Sequence, residues 1–134
     1  MKRFAQAALL ALITGTAAMA SAEVAVIVNP SATKAPNQAE VANIFLGKDK
    51  SLTGIDQKDW NPIKDKFYAD ITRKNEAQLK SYWSGLVFTG KGQPLSSVAD
   101  DAAVVAKVAS DASAIGYVDS VAVNDSVKVL FTLP

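Results

Sequence analysis

The 134-residue chain has no cysteine and no histidine. Without cysteine there is no disulfide staple and no thiol nucleophile. Without histidine there is no Ser-His or Cys-His catalytic pair, no histidine-bearing zinc site and no imidazole base. A long apolar run is missing too. Ala7 to Ile13 is uncharged and apolar, but a membrane-spanning helix needs roughly 20 such residues. Nor is there an excess of charge of either sign, with 14 basic and 13 acidic side chains.

The chain opens MKRFAQAALLALITGTAAMASAEV. Lys2 and Arg3 precede the apolar segment, and Ala20-Ser21-Ala22 supplies small residues for cleavage. This order reads as a secretory signal peptide over residues 1–22, cut after Ala22, which implies export to the periplasm. Glu23 to Pro134 then forms one domain. Loss of Lys2 and Arg3 leaves 12 basic against 13 acidic side chains, a formal charge of −1. That balance argues against a nucleic-acid surface, which normally shows a basic patch or stripe, while a single small anion site stays compatible with it.

Within the mature chain, Val24 to Val28 is a β-branched run ended by Asn29-Pro30, which predicts a buried strand. Asn37 and Glu40 form a capping box ahead of Val41, Ile44 and Phe45, and Gly47 stops that helix. Ile55-Asp56-Gln57 reads as a short strand end. Asn61-Pro62 starts a second helix, with Ile63, Phe67 and Ile71 on one buried face. Asn75 and Gln78 begin a third helix, whose Leu79, Tyr82, Trp83, Leu86, Val87 and Phe88 are assigned to the core. Ser97 to Ser110 is predicted as one further helix, with Val98, Val105 and Val108 inward. Ala114 to Val118 and Val127 to Leu133 are predicted strands. The alternation of strands and helices predicts an α/β domain: a small mixed or parallel sheet covered by helices on both faces.

Two segments bear on anions. Gly85 to Gly92, GLVFTGKG, misses the nucleotide loop G-x-x-x-x-G-K-[ST] by one residue, since Gly92 replaces the Mg²⁺-binding hydroxyl. Its glycines also close a helix, whereas a phosphate loop opens one. It reads as a helix C-terminus with Lys91 at the negative end of the dipole. The other segment is the helix start in DQKDWNPIKDKF. Unpaired N–H groups and a partial positive charge make such a start an anion site. The candidate donors are the backbones of Ile63 and Lys64 and the side chains of Gln57 and Asn61, with charge from Lys58 and Lys64. Asp56 and Asp59 read as caps and solvated charges; no nucleophile–base pair is legible, so the chain reads as non-enzymatic, without cofactor or metal.

The ordered set VAVIVNP, AEVANIFLGK, NPIKDKF, AQLKSYWSGLVFTGKGQP, SAIGYVDS and SVKVL resembles the small phosphate-ABC-transporter substrate-binding-like proteins of the periplasmic type 2 solute-binding superfamily. The resemblance covers nearly all of the mature chain and implies one lobe of a two-lobed receptor. Gln57 to Pro62 falls where the family carries its Arg-x-x-Gly-Ser-Gly-Thr anion loop. Gln57 stands for the arginine, and Trp60-Asn61-Pro62 stands roughly for the Ser-Gly-Thr. A neutral amide thus replaces a bidentate guanidinium, whose charge-assisted bonds are about twice as strong, and Pro62 offers no N–H.

The resemblance implies a non-enzymatic binding protein for inorganic phosphate or a similar oxyanion, tied to phosphate transport or sensing. The alternative is a module of the same fold that serves structure or interaction and has lost its ligand. A lone lobe leaves one face of a bound anion in water, which implies weak binding unless a homodimer or a membrane transporter or sensor covers it. Contacts with such a partner are expected at the sheet edges and near Asn29, Ser31 and Trp60.

Overall fold

The computed structural model describes residues 23–134; the expected signal peptide lies outside them. Five strands and four α-helices follow in the order β1 (Val24–Val28), α1 (Gln38–Phe45), β2 (Thr53–Gln57), α2 (Pro62–Thr72), α3 (Glu76–Phe88), β3 (Ser96–Val98), α4 (Asp101–Ser110), β4 (Ala114–Asp119) and β5 (Lys128–Leu133). The sheet order is β3-β2-β4-β1-β5. β2 runs parallel to β3 and β4, whereas β1 is antiparallel to β4 and β5, so the sheet is mixed and open. In β5, Phe131 pairs with Val26 and Val129 with Ile27, which leaves Leu130 as a bulge. Among the described residues no helix is long and apolar enough to cross a membrane.

Side-chain alternation along the central strands splits the core into two layers. Val24, Val26, Val28, Ile115 and Tyr117 face Val41, Phe45, Phe67 and Ile71 of α1 and α2. Ala25, Ile27, Ile55 and Val118 face Val104, Val105 and Val108 of α4. Helices therefore cover both faces, as the alternation predicts. α4 lies close to β4 because Gly116 carries no Cβ, which would stand 2.5 Å from Val104 Cγ1.

The helix ends follow local chemistry. Both capping boxes form, Asn37 with Glu40 and Asn75 with Gln78, and Asn61 caps α2 through the Lys64 N–H. The segment read as one helix from Ser97 divides in two. Ser96–Val98 pairs with β2 as a parallel strand, and Asp100 caps a helix that starts at Asp101. Val98 is thus a strand residue.

The near-nucleotide loop is a helix stop. The Gly90 N–H donates to Val87 O at 3.1 Å, and the Lys91 N–H to Leu86 O at 2.9 Å. This is the Schellman pattern, and Gly90 holds the left-handed φ of 72° that it requires. α1 ends in the same way at Gly47, with Gly47 N–H to Ile44 O and Lys48 N–H to Asn43 O. The two stops read F-L-G-K and F-T-G-K, but their phenylalanines differ. Phe45 is fully buried, whereas Phe88 is 92% exposed. Val87 is exposed as well, so the assignment of Val87 and Phe88 to the core is corrected.

Candidate functional site

β2 and β4 end side by side, and the starts of α2 and α4 lie beside their C-terminal ends. Carboxyl-end crevices of this kind are the usual ligand positions of open α/β sheets. Gln57, the last residue of β2, is 1% exposed. Its Nε2 donates to Asp101 Oδ1 at 2.8 Å and to Tyr117 O at 3.0 Å, and its Oε1 accepts from Asn61 Nδ2 at 2.9 Å. The other amide atom of Asn61, Oδ1, accepts the Lys64 N–H at 2.8 Å. Gln57, Asn61 and Lys64 are therefore brought together, as the sequence suggests, but they bond to one another and to the body of the protein.

Lys64 is buried, and its Nζ donates to Gln57 O at 2.6 Å. The same ammonium stands 3.6 Å from Asp56 Oδ2 and 5.5 Å from the centre of the Trp60 ring. Its charge is thus matched by a carboxylate, a carbonyl and an aromatic face. Asp56 is more than the solvated charge expected of it. It accepts the hydroxyl of Tyr117 and, at 2.9 Å, the Gln57 N–H. Tyr68, stacked on Trp60, faces the same carboxylate, and its Oη has no hydrogen-bond partner among the described residues. Burial, and then the charge of Asp56, raise the pKa values of both Tyr68 and Tyr117.

Two of the expected donors remain available. The Ile63 N–H has no partner among the described residues, and Lys58 is exposed. The cleft beside Ile63, however, is lined by Asp59, Asp100, Asp101 and Asp119. Asp101 takes the position of an anion: besides Gln57 it accepts the Asp119 N–H at 3.2 Å. A carboxylate supplied by the protein thus occupies donors that a dissolved anion would seek. A helix read from Ser97 places Asp101 in its interior and hides it. The Asp100-Asp101 pair ahead of Ala102-Ala103 was the signal that a helix begins there.

Asn29 and Ser31 do not share a surface with Trp60. Asn29 follows β1 at the opposite end of the sheet, where its Nδ2 donates to Val108 O and Ala109 O, both at 3.0 Å. It closes the C-terminus of α4, and Ser31 bonds to its Oδ1.

With these elements placed, the chain can be set beside solved structures. It is similar to a protein described as a phosphate ABC transporter substrate-binding protein with bound phosphate from Clostridium perfringens, with TM-score 0.60 and 18% identity over 81% of this chain. It is also similar to an ABC-type phosphate transport receptor from Vibrio cholerae, with TM-score 0.62 and 14% identity over 81% of this chain. The fold is shared with phosphate-binding proteins. This chain spans less than half of either structure, 44% and 45%. No protein-family model matches the sequence, and no curated protein does.

Proposed function

We propose that the chain is a non-enzymatic lobe of the solute-binding type, exported to the periplasm, that serves phosphate transport or sensing through a partner protein. Its own affinity for phosphate is weak. The observation that carries this reading is the closed bonding of Gln57, Asn61 and Lys64 beside four aspartates. An incoming oxyanion would have to break hydrogen bonds already made and then sit among like charges. Breaking a buried charged hydrogen bond costs about 1.5–3 kcal/mol, comparable with what one new bond to phosphate returns. The fold shared with phosphate-binding proteins supports the setting.

One observation favours a second reading, in which the lone lobe does hold phosphate at Gln57, Lys58, Asn61, Ile63 and Lys64. The Ile63 N–H points from the start of an eleven-residue helix and is unpaired among the described residues, with exposed Lys58 nearby. Phosphate titration followed by backbone amide NMR separates the two. The first reading expects shifts at Ile63 that are far from saturated below 0.1 mM phosphate and fit a dissociation constant on the order of 0.1–10 mM, about 3–5 kcal/mol. Saturating shifts at Ile63, Asn61 and the Gln57 side-chain amide below 0.1 mM, roughly 5–6 kcal/mol, would establish the second.

A further inference from the structure

α3 is weakly held. Leu79 is its one buried residue. Tyr82 and Trp83 attach it to the C-terminus of α1: Tyr82 Oη donates to Leu46 O at 2.6 Å, and Trp83 lies against Gly47. Grooves of about 250 and 260 Å³ flank Trp83 on either side. Beyond them the helix ends in exposed Val87 and Phe88. A Schellman turn holds Phe88 in water, where nothing among the described residues covers its ring. The surrounding charge is positive: Lys48, Lys50 and Lys91 are exposed at the two glycine stops, with Asp49 the acid between them.

The carboxyl edge of the sheet has the opposite character. Glu23, Asp59, Asp100 and Asp119 stand there, with Asp101 behind them, and Lys58 is the exposed cation. In their midst is a second uncovered apolar side chain, Val121, 87% exposed in the turn after β4. The formal charge of the exported chain is close to zero, yet it is segregated into a basic face tipped by Phe88 and an acidic edge tipped by Val121.

We propose that the α3 face of one copy docks on the acidic edge of a second copy, head to tail. This rests on the reading that the protein works through a partner, and it names that partner as the chain itself. A symmetric contact of two α3 faces would set Lys48, Lys50 and Lys91 against their own counterparts. Like charges opposed across an interface disfavour that arrangement. The head-to-tail contact pairs opposite charges and covers both apolar tips. Because the two patches differ, each copy keeps one free end, and association continues past the dimer.

Sedimentation of the exported, purified protein tests this. The weight-average mass should rise past that of a dimer with concentration and fall as salt is added. Phe88→Ser and Val121→Lys each change a side chain that is at least 87% exposed, so folding should be unaffected. Each should weaken association by about tenfold or more, as loss of an interface anchor does. Mixed, the two variants should form a 1:1 dimer and nothing larger, because each retains the face the other has lost. A wild-type protein that stays monomeric at millimolar concentration in low salt would overturn the proposal, and so would variants that fail to complement. Phosphate titration of the same samples reads the earlier proposal separately: tight binding by a monomer would overturn that one, whatever the sedimentation shows.

Discussion

Gln57 is buried, and its amide ends on three partners from three elements: Asp101 of α4, Tyr117 of β4 and Asn61 at the start of α2. Gln57→Leu keeps the volume and removes the bonds, which leaves the Asn61 amide and the Asp101 carboxylate short of partners. The expected loss is about 1–3 kcal/mol of stability in urea unfolding, the usual cost of stranding buried polar groups. A change under half a kilocalorie would show that these bonds are readily replaced by water. The glycine stops give a paired test. Gly47 and Gly90 both hold positive φ, but a Cβ at Gly47 would stand 2.9 Å from Trp83 Cη2, whereas one at Gly90 meets nothing within 4 Å. Gly90→Ala should therefore cost about 1–2 kcal/mol for the left-handed backbone alone. Gly47→Ala should cost more, because Trp83 must move too. Equal losses would mean that Trp83 does not rest on Gly47.

Among the elements, α3 shows where sequence reading succeeds and where it fails. Its start was legible because Asn75 and Gln78 form a capping box, and its stop because Gly90 forces a left-handed residue. Its inward face was only partly legible. Leu79, Tyr82, Trp83 and Leu86 share a side, but Phe88 is nine residues from Leu79, about 180° around the helix at 3.6 residues per turn. Apolar character does not by itself imply burial, and at Phe88 the helical phase turns the side chain away from the core. The fourth helix shows a different failure. Val98 is the one half-buried residue of a three-residue strand whose two serines are exposed, too short to reveal its period beside an α-helix. That misplacement concealed Asp101, and with it the side chain that fills the candidate site. No local pattern could have shown that Gln57, Lys64 and Asp56 bond inward, because Tyr117 and Asp101 reach them from 44 to 61 residues away. Tyr82→Phe should release α3 without unfolding the domain. Hydrogen exchange of α3 amides should quicken severalfold while strand amides keep their protection, since the helix loses a hydrogen bond worth about 0.5–1.5 kcal/mol. Uniform quickening across the chain would show that α3 is part of the global unit.

For the whole molecule, the two core layers and the order of elements follow from the apolar patterning and caps, which is why the fold was legible with an ordinary α/β vocabulary. The buried tyrosines set its alkaline limit. Burial and the charge of Asp56 raise the pKa values of Tyr68 and Tyr117 in the folded state. Their neutral forms therefore contribute stability that is complete below the unfolded value near pH 10 and is lost as pH rises above it. Unfolding and the tyrosinate absorbance of two of the three tyrosines should appear together above about pH 10, and Tyr117→Phe should reduce the slope of stability against pH. Formation of more than one tyrosinate, beyond that of the partly exposed Tyr82, in a chain that remains folded would contradict the burial of both hydroxyls.

Whether the candidate site is filled by the protein's own groups is read most directly by calorimetry of phosphate binding, paired with sedimentation of the same sample. The closed network of Gln57, Asn61, Lys64 and Asp101 predicts a monomer whose dissociation constant is on the order of 0.1–10 mM, or about 3–5 kcal/mol. Submicromolar binding of phosphate by a demonstrated monomer would contradict it.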